Sequence, residues 1–586
     1  MTSPRHRRLL AVRSEGKVST VSLAIAATCA VLVPLTLRAQ AVATAPALRL
    51  ASRATGVART VVYTGQFITL DSLQPRADAI AVRDGRLVAV GSVAEVEAQV
   101  GTGVRHVALR GTVVPGLADA HVHVASLGET LESLDLRALS KEAILARVRA
   151  AARRAPAGAW IQGGGWDQSF WGGDFPTATE LDAASAGHPV LLTRIDGHAT
   201  WANSRALQLS GITAATRDPA GGRIVRGEGG VPAGVLIDDA IELVTKAVPP
   251  LTMRARVARL QRALAQYARW GLTEVHDAGV DRPTLAAYRR LARAGALPVR
   301  VYAMAAADAA TLDDVLPRGP VVGDAQGTFT LRCVKIVDDG ALGSRGARLA
   351  APYSDDASQR GFDMAPGDSL DRLVARARTH GFQVAVHAIG DAATTDVLDA
   401  FARVGTPATV RDARFRLEHA SMIADRDLPR LAALGVVASM QPVFAGEYSR
   451  FAEARVGGAR LSTVLRTRDV LSSGAVMAAG TDFPASDTGD PIATLDALVT
   501  RRGADGTPVD GWLPDQGVEV GVALRAMTIA PAFAAFEEGE GGIIAVGRRA
   551  DLTVLSGDPL ASPNDARRRL TVLQTIVGGR TVYRAR

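Results

Sequence analysis

Two histidines one residue apart, His121 and His123, close an apolar run that begins at Val114. In a β-strand successive side chains alternate between faces, so these two imidazoles leave one face while Val122 leaves the other. Two imidazoles at a strand end can hold one divalent metal ion from one side. The same pair could sit on a solvated strand face, so its meaning depends on partners further along the chain.

Those partners are single residues, each at the end of a short apolar run. Lys335 follows Arg332-Cys333-Val334, His387 follows Gln383-Val384-Ala385-Val386, His419 follows Arg416-Leu417-Glu418, and Asp482 follows Val476–Gly480 and Thr481. Lys335 is notable by composition: of 67 Lys and Arg residues only Lys17, Lys141, Lys246 and Lys335 are lysines. A guanidinium stays charged and is a poor nucleophile, whereas a buried amine can lose its proton and react. Cys333, on the same strand face, reads as a packed small residue. Singly, each position has a structural alternative: a lysine snorkelling to solvent, a hydrogen-bonded histidine, an aspartate capping a helix. Together the six residues would need six such explanations, whereas one metal site covers them all.

Such residues need a scaffold that sets strand ends side by side. Helical periodicity marks Lys141–Arg154, Thr252–Trp270, Arg282–Ala294 and Ser369–His380, and these segments alternate with the strand runs above and with Thr273–Asp277. Alternating β and α units predict a parallel sheet with crossover helices. Chemistry at successive strand C-termini predicts a (β/α)8 TIM-like barrel. The barrel is expected over residues 115–535, which exceeds the typical barrel length of about 250 residues. An insertion is therefore expected at about residues 128–249, with aromatic and Gly-rich loops. Short β-type runs at residues 60–63, 79–82, 86–90 and 106–108 are echoed at 551–555, 571–577 and 581–583, with Gly578-Gly579 as a hairpin turn. One small β domain is thus expected from both chain ends, 57–114 and 536–586.

The chain's 586 residues, 47% of them hydrophobic, are enough for a sizeable core and at least two domains. Residues 1–41 carry a basic start, an apolar run from about Val18 to Leu37 and a small-x-small site at Ala39-Gln40-Ala41, the pattern of a signal peptide for export to the periplasm or medium. An uncleaved membrane anchor is the alternative, and residues 42–56 read as a linker. Six Lys and Arg against one acidic residue lie in 1–41, so five of the eight net positive charges sit there and +3 remains. Nucleic-acid binding is therefore not inferred. Of the two cysteines, Cys29 would leave with the signal, so the core must hold without a disulfide.

The motifs taken together resemble the amidohydrolase superfamily and, within it, the YtcJ-like branch (amidohydrolase family 3). They are Gly163-Gly164-Gly165-Trp166-Asp167-Gln168, Arg194-Ile195-Asp196-Gly197-His198-Ala199-Thr200-Trp201-Ala202-Asn203, Lys335-Ile336-Val337-Asp338-Asp339-Gly340-Ala341-Leu342-Gly343-Ser344-Arg345, Val386-His387-Ala388-Ile389-Gly390-Asp391, Arg416–Ala420 and Gly480-Thr481-Asp482-Phe483-Pro484. The resemblance implies a distorted (β/α)8 barrel flanked by a β-sandwich built from both chain ends. It implies metal binding by His121, His123, Lys335, His387, His419 and Asp482, with Lys335 as a carbamate bridging two ions and Asp482 as the base. Without that carbamate, a single-metal site is the fallback.

A bound divalent ion lowers the pKa of its water from about 16 to about 7. Asp482 accepts the proton, and the resulting hydroxide attacks an amide, cyclic amide or N-formyl carbonyl. Nitrogen-rich ligands favour zinc, as one or two ions. An esterase or phosphotriesterase on the same site, and a catalytically silent binding protein, are the alternatives. The partner is a small-molecule substrate, and a homo-oligomer is compatible with the sequence.

Trp166, Asp167, His198, Trp201 and Asn203 are expected in the insertion loops, either as a lid over the substrate with Trp166 or Trp201 as an apolar wall, or as a core that holds the insertion together. Arg345 is a candidate for a substrate carboxylate, with a surface ion pair as the alternative, and His276 for a place behind the metal ligands.

Overall fold

Eight strands that follow one another in a single parallel ladder form the centre of the molecule: β1 (Leu117–Val122), β2 (Leu272–Val280), β3 (Arg300–Ala306), β4 (Phe329–Val337), β5 (Gln383–Ala388), β6 (Arg416–His419), β7 (Val437–Met440) and β8 (Met477–Ala479). Every neighbouring pair is parallel, and β8 returns against β1, giving the expected (β/α)8 barrel. The computed structural model describes residues 60–101, 103–219, 221–324 and 327–586. The expected signal segment 1–41 and linker 42–56 lie outside the described residues.

The barrel strands are buried along nearly their whole length, which is why their sequences run apolar instead of alternating. The helices around them read as amphipathic. In Met253–Arg269 the buried residues Leu260, Ala263, Leu264 and Tyr267 repeat at the spacing of one helical face, and Thr252 caps the first turn by accepting from the Ala255 N–H. Asp281 caps Arg282–Arg293 in the same way, with a proline in the first turn.

Side chains close the seam between first and last strands. Asp119 of β1 accepts from the Thr481 N–H at 2.9 Å, the Thr481 hydroxyl at 2.7 Å and the His121 N–H at 3.1 Å. The Asp482 N–H then donates to the His121 carbonyl at 2.7 Å, and the His123 N–H to the Phe483 carbonyl at 3.0 Å.

The insertion differs from expectation. Residues 134–238 build a six-stranded sheet, ordered Gly222–Arg226, Pro232–Asp238, Ala199–Ala202, Val190–Arg194, Ile161–Trp166, Leu134–Asp135, with apolar cores of its own. The Gly163–Gly165 run, which reads as a loop, lies within a strand. A Cβ on Gly163 would come within 3.0 Å of Leu134, and Gly165 has φ +98°.

Both chain ends do share one β unit. Its seven strands form one continuous sheet, ordered Arg580–Arg584, Val572–Val577, Leu552–Leu555, Arg105–Pro115, Val61–Ile68, Arg76–Arg83, Arg86–Gly91. The sheet folds over on itself, so that the Tyr63 hydroxyl donates to the Gly579 carbonyl at 3.1 Å. The sandwich is therefore two halves of one bent sheet. Among the described residues no helix is long and apolar enough to cross a membrane.

Barrel and β unit are joined at Arg300, whose Nε and Nη2 donate to Asp551 at 2.6 and 3.0 Å. Asp551 also accepts from the Gly578 N–H at 2.6 Å. Burial alone would raise the pKa of Asp551, but the Arg300 charge outweighs it and holds the carboxyl below its usual range. The stability this pair supplies is present above the ordinary aspartate pKa of about 3.9 and is lost as pH falls through the lower, folded-state value. Asp551→Ala, which leaves Arg300 buried and unpaired, is expected to cost about 3–5 kcal/mol in urea unfolding at neutral pH.

Candidate metal centre

The C-terminal strand ends gather six side chains from four strands and the loop after β8. His121 sits in β1 and His123 directly after it; Lys335 lies in β4, His387 in β5, His419 at the end of β6, and Asp482 beyond β8. His123 Nε2 is 3.0 Å and His121 Nε2 is 3.4 Å from Asp482 Oδ1. Lys335 Nζ is 3.3 Å from His121 Nε2. The His419 ring lies 4.7 Å from that of His121 and 4.3 Å from that of His387, centroid to centroid. His419 and Asp482 have φ of +72° and +61°, a left-handed backbone that costs roughly 1–2 kcal/mol per residue. That strain bends the chain at the barrel mouth, where both side chains line the cleft.

Hydrogen bonds at the back of each ring select its tautomer. Nδ1 of His121 faces Glu418 Oε2 at 2.5 Å, Nδ1 of His123 the Ala278 carbonyl at 3.0 Å, and Nδ1 of His419 Gln441 Oε1 at 2.9 Å. Each Nδ1 therefore carries the proton and each Nε2 offers a lone pair. Burial, with the Lys335 charge adding to it, holds His121 well below the usual histidine pKa; burial and neighbouring cationic groups do the same for His387 and His419. The rings are thus neutral, as ligands must be.

These donors fit a divalent cation. Asp482 Oδ1 and His387 Nε2 are buried with no hydrogen-bond partner, although the Asp482 oxygen lies close to two imidazoles. Buried lone pairs left unmatched are costly, and a cation would satisfy them. Ligand atoms of His121, His123 and Asp482 all lie within 4.8 Å of one another. Burial lowers the pKa of Lys335 from the usual amine value, which favours the nucleophilic free base.

A buried chain of charges stands behind His121. Arg416 Nε donates to Glu418 Oε1 at 2.6 Å, and Arg416 Nη2 to the Ala120 carbonyl at 2.6 Å and the Ser439 hydroxyl at 3.1 Å. Burial pushes the Glu418 pKa up, but the charges of Arg416 and Lys335 outweigh it and keep the carboxylate ionised. His276 takes the other side of Arg416, with Nδ1 3.0 Å from Nη1. It therefore stands three links from His121, through Arg416 and Glu418, not against the ligands, and burial drives its pKa to about 3.

A cleft of about 530 Å³ opens over Asp482, His387 and His419. Phe444 stacks on His419 at 6.4 Å, and Tyr448 on Phe444 at 5.4 Å, forming an aromatic wall that leads outward. The insertion contributes Asp167 and His198 to this cleft. His198 Nδ1 lies 2.8 Å from Asp238, and Asp167 accepts from Arg194 Nη2 at 3.1 Å.

Four expected substrate contacts lie elsewhere. Trp166 and Trp201 are fully buried in the insertion's core, with their indole N–H groups donating to the carbonyls of Leu192 and Thr177 at 2.8 and 2.7 Å. Asn203 caps the helix Ser204–Leu209, accepting from the Ala206 N–H at 3.0 Å. Arg345 forks onto Asp355 at 3.1 and 3.0 Å. Large aromatics in Gly-rich motifs looked like loop residues, but strand pairing turns them inward. Sequence reasoning passed over Glu418, Arg416, Gln441, Asp119 and the Phe444–Tyr448 wall. The signal for the first two was present: opposite charges two apart, on one face of an apolar strand, call for a buried pair.

An eight-stranded parallel barrel with imidazoles and a carboxylate converging at its mouth has the architecture of a metal-dependent hydrolase. The amidohydrolase family profile matches residues 108–583. The putative amidohydrolase YtcJ of Bacillus subtilis (strain 168) is 33% identical, over 89% of this chain and 99% of its own length. An N-substituted formamide deformylase of Arthrobacter pascens is 30% identical, over 87% of this chain and 96% of its own. The crystal structure of an uncharacterized metal-dependent hydrolase from Pyrococcus horikoshii matches with TM-score 0.72 and 29% identity, covering 86% of this chain and 99% of that one. The chain belongs to the amidohydrolase family and is a hydrolase acting on C–N bonds.

A Cβ on Gly480 would lie 2.5 Å from the His121 backbone nitrogen, so Gly480→Ala is expected to push β8 from β1 and abolish tight zinc uptake in a competition titration with a chelator. Glu418→Gln is expected to weaken zinc affinity by about 10–100-fold in the same titration.

Proposed function

We propose that the protein is an exported, zinc-dependent hydrolase of non-peptide C–N bonds in amides, cyclic amides or N-formyl compounds, with Asp482 as general base. The observation that carries this reading is the buried, unpartnered Asp482 oxygen beside His121 and His123, at the floor of a cleft with an aromatic wall. The deformylase named above lends the N-formyl class its place.

In this reading His121, His123 and Asp482 hold one ion. His387, His419 and Lys335 would hold a second ion, with Lys335 as the carbamate that its amine would form by adding to carbon dioxide with release of a proton. The cation supplies Lewis acidity, which acidifies water and polarises a carbonyl. The protein's own groups do the rest. Asp482 takes the proton of the attacking water and returns it to the leaving nitrogen. Glu418 keeps the His121 lone pair aimed at the centre, and Phe444 and Tyr448 exclude water from one side of the substrate.

Zinc-loaded protein is expected to hydrolyse N-substituted formamides or other N-acyl amines. Asp482→Asn should lower kcat by roughly 10²–10⁴-fold. Elemental analysis should find about two ions per chain, falling sharply in Lys335→Ala. Turnover of esters or phosphotriesters alone would replace this reading with the esterase one, and no metal uptake with no turnover would leave a binding protein. N-terminal sequencing of exported protein is expected to start at Val42; a start at residue 1 would mean an anchor instead.

A further inference from the structure

We infer that the centre serves two substrate subsites, and that the protein binds carbonyl compounds carrying a planar, neutral substituent on each side of the reacting carbon. This rests on the hydrolase reading above and narrows its substrate class away from simple formamides.

The aromatic cleft is one of two. A second cleft of about 570 Å³ lies on the other side of His123. His123 lines the second and Asp482 the first, and their facing atoms are 3.0 Å apart. Arg194, Ile195 and Ala485 belong to both walls. A carbonyl placed at His123 and Asp482 therefore has an open cleft on either side. A formamide carries only hydrogen on its acyl side and would leave one cleft empty.

The second cleft is floored by Gly163, Gly164 and Gly165 of the insertion. Packing accounts for two of these glycines. A Cβ on Gly163 would crowd Leu134 at 3.0 Å, and Gly165 combines φ +98° with a Cβ position 2.5 Å from the Arg137 side chain. Nothing of the kind constrains Gly164: a Cβ there would meet only the Thr193 carbonyl, at 4.0 Å, and its φ lies outside the left-handed range. What the missing side chain preserves at position 164 is open space in the cleft, above bare peptide planes that suit a flat group.

Charges around this floor are already matched. Arg137 is paired with Asp135 at 2.9 Å and lies 4.7 Å over the Phe483 ring. Arg194 is held by Asp167 and by Asp196, and Glu129 reaches Arg259 at 3.4 Å. A neutral arm, such as an aromatic ring or a planar amide, is therefore the better match than an ion.

The test compares one-armed and two-armed probes on zinc-loaded wild type, Gly164→Ala and Gly164→Val. Calorimetry gives Kd for two unreactive ketones, acetophenone and deoxybenzoin. Kinetics gives kcat/KM for N-benzylformamide and N-benzylphenylacetamide. Wild type is expected to favour the two-armed member of each pair by at least about tenfold. Gly164→Val should bring both ratios close to one, with Gly164→Ala intermediate and melting temperatures unchanged. Using ratios removes any general loss of activity from the comparison. Unchanged ratios in Gly164→Val, or a wild-type preference for the one-armed probes, would overturn the inference. If neither amide is hydrolysed yet deoxybenzoin still binds preferentially and loses that preference in Gly164→Val, the two subsites stand and the hydrolase reading is what fails.

Discussion

The Arg416–Glu418 ion pair is the constraint on which the active end of this barrel depends. Both residues are fully buried, and removing two charges from water carries a desolvation cost that Coulomb attraction recovers only with good geometry and satisfied hydrogen bonds. Those conditions are met. Arg416 reaches the Ala120 carbonyl on β1, the Ser439 hydroxyl on β7 and His276 on β2, so one guanidinium ties four strands across the barrel interior. Glu418 then carries this rigidity to the His121 ring. A barrel filled with aliphatic side chains would pack as well but would leave that imidazole free to choose its tautomer.

The work of the site is divided between two bodies of sequence. The barrel supplies every candidate metal ligand and the aromatic wall, all from strand ends or the turns that follow them. The insertion supplies Arg194 and the glycine floor from a separate sheet with its own core, and Asp167 and His198 from the ends of its strands. Chemistry and selectivity can therefore vary independently. Substitutions at the glycine floor reshape the second cleft without touching a donor atom, whereas the barrel ends leave little freedom, as the close approach of Gly480 to His121 shows.

Much of this was legible in the sequence, for identifiable reasons. Strand alternation placed His121 and His123 on one face, the scarcity of lysine singled out Lys335, and apolar runs ending in His387, His419 and Asp482 marked strand C-termini. These are local signals that survive folding. The two-ended β unit was legible because its turns carry Gly at hairpin positions. The place of the insertion was legible but its sheet was not: its glycines mimic a loop, and only the contacts of Leu134 and Arg137 explain why a strand needs them. Trp166 and Trp201 were misplaced for the same reason, since the strands that carry them pair in a sheet no local pattern reveals; Asn203 is a local helix cap. Asp119 escaped notice because its role exists only after β8 has come round to meet β1.

That last meeting has a consequence for how the protein acquires its metal. The candidate ligands run from residue 121 to residue 482 along the chain, and the Asp119 staple that closes the seam is interleaved with them: Thr481 precedes Asp482, and Asp119 bonds the His121 N–H. Three donors therefore come within reach of one ion only when the final strand has docked. A chain still emerging, or one clipped before β8, offers scattered histidines that bind weakly and release readily. Metal capture at this candidate site would thus act as a checkpoint on completed topology, and the binding energy of the ion would be returned as a latch on the joint between the first and last strands.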